Sequence, residues 1–250
     1  PWLLDWAKNG GWEWFIKAFN DKNFIDALKN TIILNLLDLV IGTPMPILMA
    51  LLLNELAFPK FKRVAQTVLY LPHFLSWVII SSLSLRLLAT NDGLVNQIFG
   101  TNIAFLGTEN NWRATYIVLG IWKECGWNTI IYLAALTGIS PELYEAAAID
   151  GAGIWQRIIH IMIPAIKKLA GTLLILQIIS VFQIMYEPMV LTKGGPDNAS
   201  LSLMQLMWQY AFGGSMNYGK ASAVAVIVTL ILLVMTAIYS YFDRKESDWD

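Results

Sequence analysis

The residues best equipped for chemistry in this sequence are polar side chains set inside long apolar runs. One run carries His73, Trp77 and Arg86; the next carries Trp122, Lys123, Glu124, Trp127 and Asn128; a later one carries Gln177, Gln183, Tyr186 and Glu187; the first carries Asn35 and Asp38, followed by Pro44 and Pro46. An ionisable or strongly polar group at membrane depth is costly, so it usually faces protein or water and marks a candidate site. A spacing of four places His73 with Trp77, Lys123 with Trp127, and Gln183 with Glu187 on shared helix faces. Aromatic faces against C–H surfaces, with amide and carboxylate groups for hydroxyls, are the chemistry of sugar recognition. A plainer reading stands beside this one. Lys123 and Glu124 can lie near a membrane surface, and Asn35 and Asp38 can simply join helices. His73 and Glu124 form an acid–base pair in principle. The sequence has no H-E-x-x-H, no G-x-S-x-G and no acidic metal cluster, and its other histidine is the distant His160, so a membrane enzyme gains no support.

The composition explains why these residues stand out. Of 250 residues, 56% are hydrophobic and 14% charged, with a net charge of −1. Soluble domains carry about 25% charged residues, so the deficit points to a helical membrane protein. The charge balance argues against nucleic acid as a partner. Cys125 is the single cysteine, which leaves no disulfide within the chain and no thiolate metal cluster. Five stretches are long enough to cross the bilayer, at about 29–53, 65–89, 113–136, 166–191 and 220–242. A secondary transporter driven by an ion gradient shares these features and remains an alternative on composition alone.

Basic residues give the direction. The loop 54–64 holds Lys60, Lys62 and Arg63; the loop 137–165 holds Arg157 and is followed by Lys167 and Lys168; the tail holds Arg244 and Lys245. The loop 90–112 has neither Lys nor Arg, and 192–219 has Lys193 alone. The positive-inside rule therefore puts 54–64, 137–165 and the C-terminus in the cytoplasm. Residues 1–28 are expected outside, as an amphipathic segment rich in tryptophan (Trp2, Trp6, Trp12, Trp14) or as a packed loop. No signal-peptide pattern precedes it, so a sixth helix is expected upstream of Pro1. The expected organisation is this outer segment, a transmembrane domain over 29–242 with its cytoplasmic loop at 137–165, and a solvated tail at 243–250.

That loop has its own design. Ser140 is a good N-cap and Pro141 suits the first helical position. Glu142 and Glu145 lie in the early turns, where the helix dipole favours carboxylates. Ala146, Ala147 and Ala148 are strong helix formers of little bulk. Asp150 closes the run, and Gly151 with Gly153 ends the helix. A second helical stretch is expected from Ile154 until Pro164 ends or kinks it.

The string Glu145-Ala146-Ala147, then Gly151, then Ile161 and Pro164, resembles the EAA loop of binding-protein-dependent ABC importer permeases. The family pattern is EAA, three residues, G, nine residues, I-x-L-P; Ile163 replaces the usual Leu. The continuation Ile149-Asp150-Gly151-Ala152 is similar to the carbohydrate, maltose-type branch, as are Leu71-Pro72 and Gly194-Gly195-Pro196. The resemblance covers nearly all of residues 24–242. It implies an all-α, polytopic helical bundle with the type I importer fold, in a bacterial cytoplasmic membrane. It implies that 141–150 is a coupling helix, with Glu142, Glu145, Ala146, Ala147, Ala148, Asp150, Gly151 and Pro164 serving contact with an ATPase. It also implies a second homologous permease subunit, two ATP-binding subunits that hold ATP and magnesium, and an extracytoplasmic solute-binding protein. The chain has no G-x-x-x-x-G-K-[ST] of its own, so no cofactor is expected in it and ATP hydrolysis is expected in a partner. In maltose-type permeases the residue after Leu-Pro and the one four further on line the sugar site, here His73 and Trp77. Counting from the loop places Glu124, Gln177 and Gln183 at or beside further contacts; Trp122, Lys123, Trp127, Tyr186 and Glu187 complete the expected set. His73, Lys123 and the tryptophans point to an acidic or larger oligosaccharide. Phosphate, an amino acid or an osmolyte is the alternative cargo within the family.

Overall fold

The computed structural model describes residues 11–56, 58–182, 184–214 and 216–247, and every regular element among them is helical. Trp2, Trp6, Gln183 and residues 248–250 lie outside the described residues. In chain order the helices are α1 (Trp12–Phe19), α2 (Lys22–Leu37), α3 (Pro44–Glu55), α4 (Pro59–Tyr70), α5 (Trp77–Leu87), α6 (Leu94–Phe99), α7 (Glu109–Thr137), α8 (Pro141–Ile149), α9 (Ile154–Arg157), α10 (Ile163–Phe182), α11 (Tyr186–Thr192), α12 (Leu203–Phe212) and α13 (Tyr218–Ser247). The chain divides into two compact units, one of residues 1–35, 80–115 and 178–250, the other of 36–79 and 116–177.

Among the described residues three helical runs are long and apolar enough to cross a membrane: Lys22–Glu55, Ile154–Ser180 and Tyr218–Ser240. The stretch expected at 65–89 differs. It is a bent pair, Pro59–Phe74 followed by Trp77–Leu87, turned by 98°. The run expected at 113–136 is α7, whose 29 residues measure about 44 Å at the usual helical rise. The run expected at 166–191 begins earlier, at Ile154, and is interrupted after Phe182 before α11 resumes at Tyr186. At the other end, α13 runs on to Ser247, so 243–247 continue a helix.

Pro164 does not end its helix. A π turn at Ile158–Met162 precedes it, with the Ile163 N–H donating to the Ile158 carbonyl. Proline lacks an N–H and crowds the carbonyl four residues back. A turn widened by one residue relieves both problems, and α10 follows directly. The same device stands before Pro44: a π turn at Asp38–Gly42, with the Thr43 N–H donating to the Asp38 carbonyl at 3.0 Å.

The first unit centres on Phe24, Ala27, Phe182, Leu203, Leu206 and Val224. Asn30 organises its polar part. Its Nδ2 donates to the carbonyls of Asn198 (2.7 Å) and Leu201 (3.3 Å), and its Oδ1 accepts from Arg113 Nη2 at 2.9 Å. α1 is packed on one side and open on the other. Ala18 is buried and a Cβ at Gly219 would meet the Trp14 ring, while Trp12, Ile16 and Phe19 are exposed. Asp21 ties the α1–α2 corner down through Tyr210 Oη (2.7 Å) and Lys220 Nζ (2.8 Å). Burial alone pushes the Asp21 carboxyl up, but the Lys220 and Tyr210 bonds outweigh it and hold the group below its ordinary value.

The second unit centres on Ala50, Leu51, Tyr132, Leu136, Met162 and Ile166. α3, α7 and the π turn before α10 meet there, and Tyr144 of α8 packs against this core.

Candidate functional site

The loop at 137–165 is built almost as its residues require. Ser140 Oγ accepts from the Glu142 N–H at 3.4 Å, Pro141 opens α8, and Asp150 is the C-cap. Gly151 has φ +73°, a conformation that costs little without a Cβ. Its N–H donates to the Ala148 carbonyl (3.1 Å) and the Ala152 N–H to the Ala147 carbonyl (2.8 Å). This is a Schellman closure, which satisfies the last carbonyls and fixes the exit direction. Gln156 Oε1 then accepts from the Gly153 N–H at 2.8 Å and starts α9.

What α8 shows outward is notable for its chemistry. Glu142, Glu145, Ala146, Ala148 and Asp150 are exposed, as is Pro164 further on. Among them stand apolar side chains left in the open: Ile149 is 87% exposed and Trp155 75%. Only Tyr144 and Ala147 of α8 turn inward. Burial pushes the Tyr144 hydroxyl above its ordinary pKa; Asn54 opposes this, Glu55 adds to it and Arg157 opposes it.

The second cluster forms where α7 passes the bend. Leu71–Phe74 is a 3₁₀ turn containing Pro72, and Leu75 is extended (φ −77°, ψ 135°), so the helical ladder stops there. His73 and Trp77 therefore do not share one helix face, contrary to the spacing expectation. The His73 ring stacks on Trp127 (4.5 Å between centroids, 6° between planes), with Phe74 edge-on to both. Trp77 stacks instead on Tyr116 at 6.1 Å. His73 Nδ1 lies 2.8 Å from Glu124 Oε2. A carboxylate only accepts, so the proton sits on Nδ1. Lys123 Nζ donates to the His73 carbonyl at 2.7 Å and pairs with Glu124 Oε1 at 3.1 Å. Its side chain is 8% exposed, against 40% for Glu124. The ammonium thus caps the carbonyl that the broken helix leaves over. Gly126 allows this approach, because a Cβ there would enter the Leu69 carbonyl.

The remaining expected residues divide. Trp122 is 48% exposed on α7. Gln177 Nε2 donates to Asp38 Oδ2 at 2.6 Å, and its Oε1 accepts from Thr43 Oγ1 at 3.0 Å, which joins α10 to the first π turn. Tyr186 and Glu187 belong to the other unit, on α11, which begins after α10 has ended; the face expected to join Gln183 with Glu187 involves a residue outside the described ones. Sequence reasoning missed Tyr116, Phe74 and Gly126; a glycine inside a long helix was the one available signal. Among the described residues no group of three or more His, Cys, Asp or Glu side chains is placed to hold a metal ion.

Residues 29–248 match the family model described as the binding-protein-dependent transport system inner membrane component. The chain belongs to this family. The permease is 41% identical to the polygalacturonan/rhamnogalacturonan transport system permease protein YteP of Bacillus subtilis, over 91% of this chain and 74% of that one. It is also similar to a chain of a bacterial ABC transporter involved in the import of the acidic polysaccharide alginate, with TM-score 0.89, 32% identity, and 93% and 83% of the two chains covered. A second structure of an alginate ABC transporter, in complex with an alginate pentasaccharide-bound periplasmic protein, matches with TM-score 0.88 and 33% identity over 92% of this chain and 82% of that one. The permease accordingly has the type I ABC importer permease fold, all-α and polytopic.

Proposed function

We propose that the permease carries an oligosaccharide across a bacterial cytoplasmic membrane, receiving it from an extracytoplasmic solute-binding protein. Two separate ATPase subunits bind ATP and magnesium and dock on the loop at 137–165, and a second, homologous permease completes the pathway. Loop 137–165 and the C-terminus then lie in the cytoplasm, with residues 1–28 outside. The observation that carries this reading is α8 itself: a helix capped at both ends that turns nearly all its side chains outward, carboxylates and bare apolar groups together. A rigid short helix transmits displacement better than a flexible loop, and alternating access is largely rigid-body motion.

The cargo class rests on the relatives, which are named for polygalacturonan, rhamnogalacturonan and the acidic polysaccharide alginate, and on the aromatic surface around His73 and Trp127. Lys123 adds nothing to the case for an acidic sugar, because its ammonium is already taken by the His73 carbonyl and Glu124. In a reconstituted importer, Glu145→Lys or Gly151→Asp is expected to lower saccharide uptake at least about tenfold, equivalent to ~1.4 kcal/mol of coupling, with the protein still present in the membrane. Normal uptake by both variants removes the docking assignment. Uptake confined to neutral monosaccharides removes the oligosaccharide assignment.

A further inference from the structure

α8 is attached to its own unit along one short face, where only Tyr144 and Ala147 turn inward. Tyr144 packs against the core cluster that holds Ala50 and Leu51 of α3, Leu136 of α7 and Met162 of the π turn. A helix held at a single point pivots when pushed; to pass a push onward it needs a second attachment. The next turn of chain supplies one. Arg157, at the end of α9, donates through Nη2 to Oε2 of Glu55, the last residue of α3, at 2.8 Å. The two side chains are only 27% and 16% exposed, so this pair is held out of bulk water. Exposed pairs of this kind contribute little, whereas breaking a desolvated one leaves a charge without its counter-charge.

The surroundings of the pair are unfinished. The Tyr144 hydroxyl lies beside Asn54 without reaching hydrogen-bond geometry, and Arg157 Nε is likewise buried without a partner. Buried polar atoms left unpaired raise the free energy of the arrangement they sit in. A different arrangement of the same groups, reached when α8 shifts, can satisfy them. Coupling between distant sites needs such an element with two discrete arrangements, both biased by the same joint.

We propose that the Glu55–Arg157 ion pair, with Tyr144 seated beside it, is the joint through which movement of α8 reaches the membrane helix α3. Glu55 and Arg157 are positioning residues in this scheme: they touch neither cargo nor nucleotide. The inference rests on the reading of α8 as the ATPase docking element.

The test uses the complete importer, with both permeases, the ATPase subunits and the binding protein, reconstituted in liposomes with a galacturonate trisaccharide as the probe. Saccharide moved per ATP hydrolysed is the readout. Glu55→Arg and Arg157→Glu are each expected to lower that ratio at least tenfold while ATPase subunits still co-purify with the complex. The double variant that exchanges the two charges is expected to restore the ratio to within threefold of the original. A merely structural role would change the yield of complex and leave the ratio alone. If the single reversals do not assemble, the neutral pair Glu55→Gln with Arg157→Gln serves instead, and an unaltered ratio in it overturns the proposal. Unaltered ratios in the single reversals, or an exchange no better than either, overturn it as well. Failure of the docking reading is seen separately, as ATPase subunits retained and transport intact in Glu145→Lys. Should the probe itself not be carried, binding-protein-stimulated ATP hydrolysis gives the same comparison: lost in each reversal and regained in the exchange, or the proposal falls.

Discussion

Glu142, Glu145 and Asp150 stand exposed on α8, whereas Lys123 and Glu124 on α7 are closed on each other and on His73. Both regions belong to the same unit, yet their charges are used oppositely. On α8 the side chains wait for something outside the chain. At the bend they are already matched, and what they hold in place is backbone: a carbonyl freed by a broken helix, and the ring that follows it. One surface is left open, as the docking reading proposed above requires, and the other is assembled in advance. Residue type alone did not separate them, since both are helical segments bearing carboxylates.

The sharpest way to break this contrast is at Gly126. Gly126→Leu puts a side chain where the Leu69 carbonyl lies. Overpacking of this kind costs ~1–3 kcal/mol or more, so uptake should fall roughly a hundredfold at the upper end, while ATPase subunits still co-purify through an unchanged α8. Loss of both together would mean that the two regions are not separable. A smaller effect is expected from Lys123. Lys123→Met leaves the His73 carbonyl without its donor and Glu124 with His73 alone, and uptake should drop by about tenfold, in line with ~1–3 kcal/mol for an unsatisfied buried group. Lys123→Arg, which keeps a charged donor, should lie closer to the original protein. If the two variants behave alike at the level of the parent, the cluster is not preassembled by this residue. The smallest effect lies in the first unit. Asp21 has its pKa lowered in the folded chain, so its contribution is present above the ordinary carboxylate pKa and is lost as pH falls through the folded one. Amide exchange in α1 should therefore quicken below about pH 4, and Asp21→Asn should remove that pH dependence. Exchange in α1 that ignores pH in the parent protein would remove the role given to Asp21.

The contrast also explains what could be read beforehand. α8 was legible because everything that defines it is local: Ser140 and Pro141 at one end, Gly151 at the other, within a dozen residues. The apolar runs were legible for the same reason. The bend was not. Hydropathy averages over a window and is blind to direction, so 65–89 read as one span, and Pro72 was taken as part of a motif rather than as the start of a 98° turn. The partners of His73 come from residues some fifty positions on, which spacing along the chain cannot supply. Pro164 misled in the other direction, because a single widened turn lets a helix run through it. Tyr144 looked like one more residue in the EAA string; only its inward direction shows that it anchors the rest.

The capped carbonyl of His73 has a consequence for traffic. A pathway has to release what it admits, so its walls must bind weakly and at several points. A half-helix ending in mid-chain would ordinarily leave an unbalanced negative end facing the passage. Here one ammonium covers that end and one carboxylate balances the ammonium, which leaves a flat aromatic plate with a single half-exposed acceptor at its edge. On the reading proposed above, in which this cluster lines the pathway, such a surface would guide a chain of sugar rings without gripping any one of them.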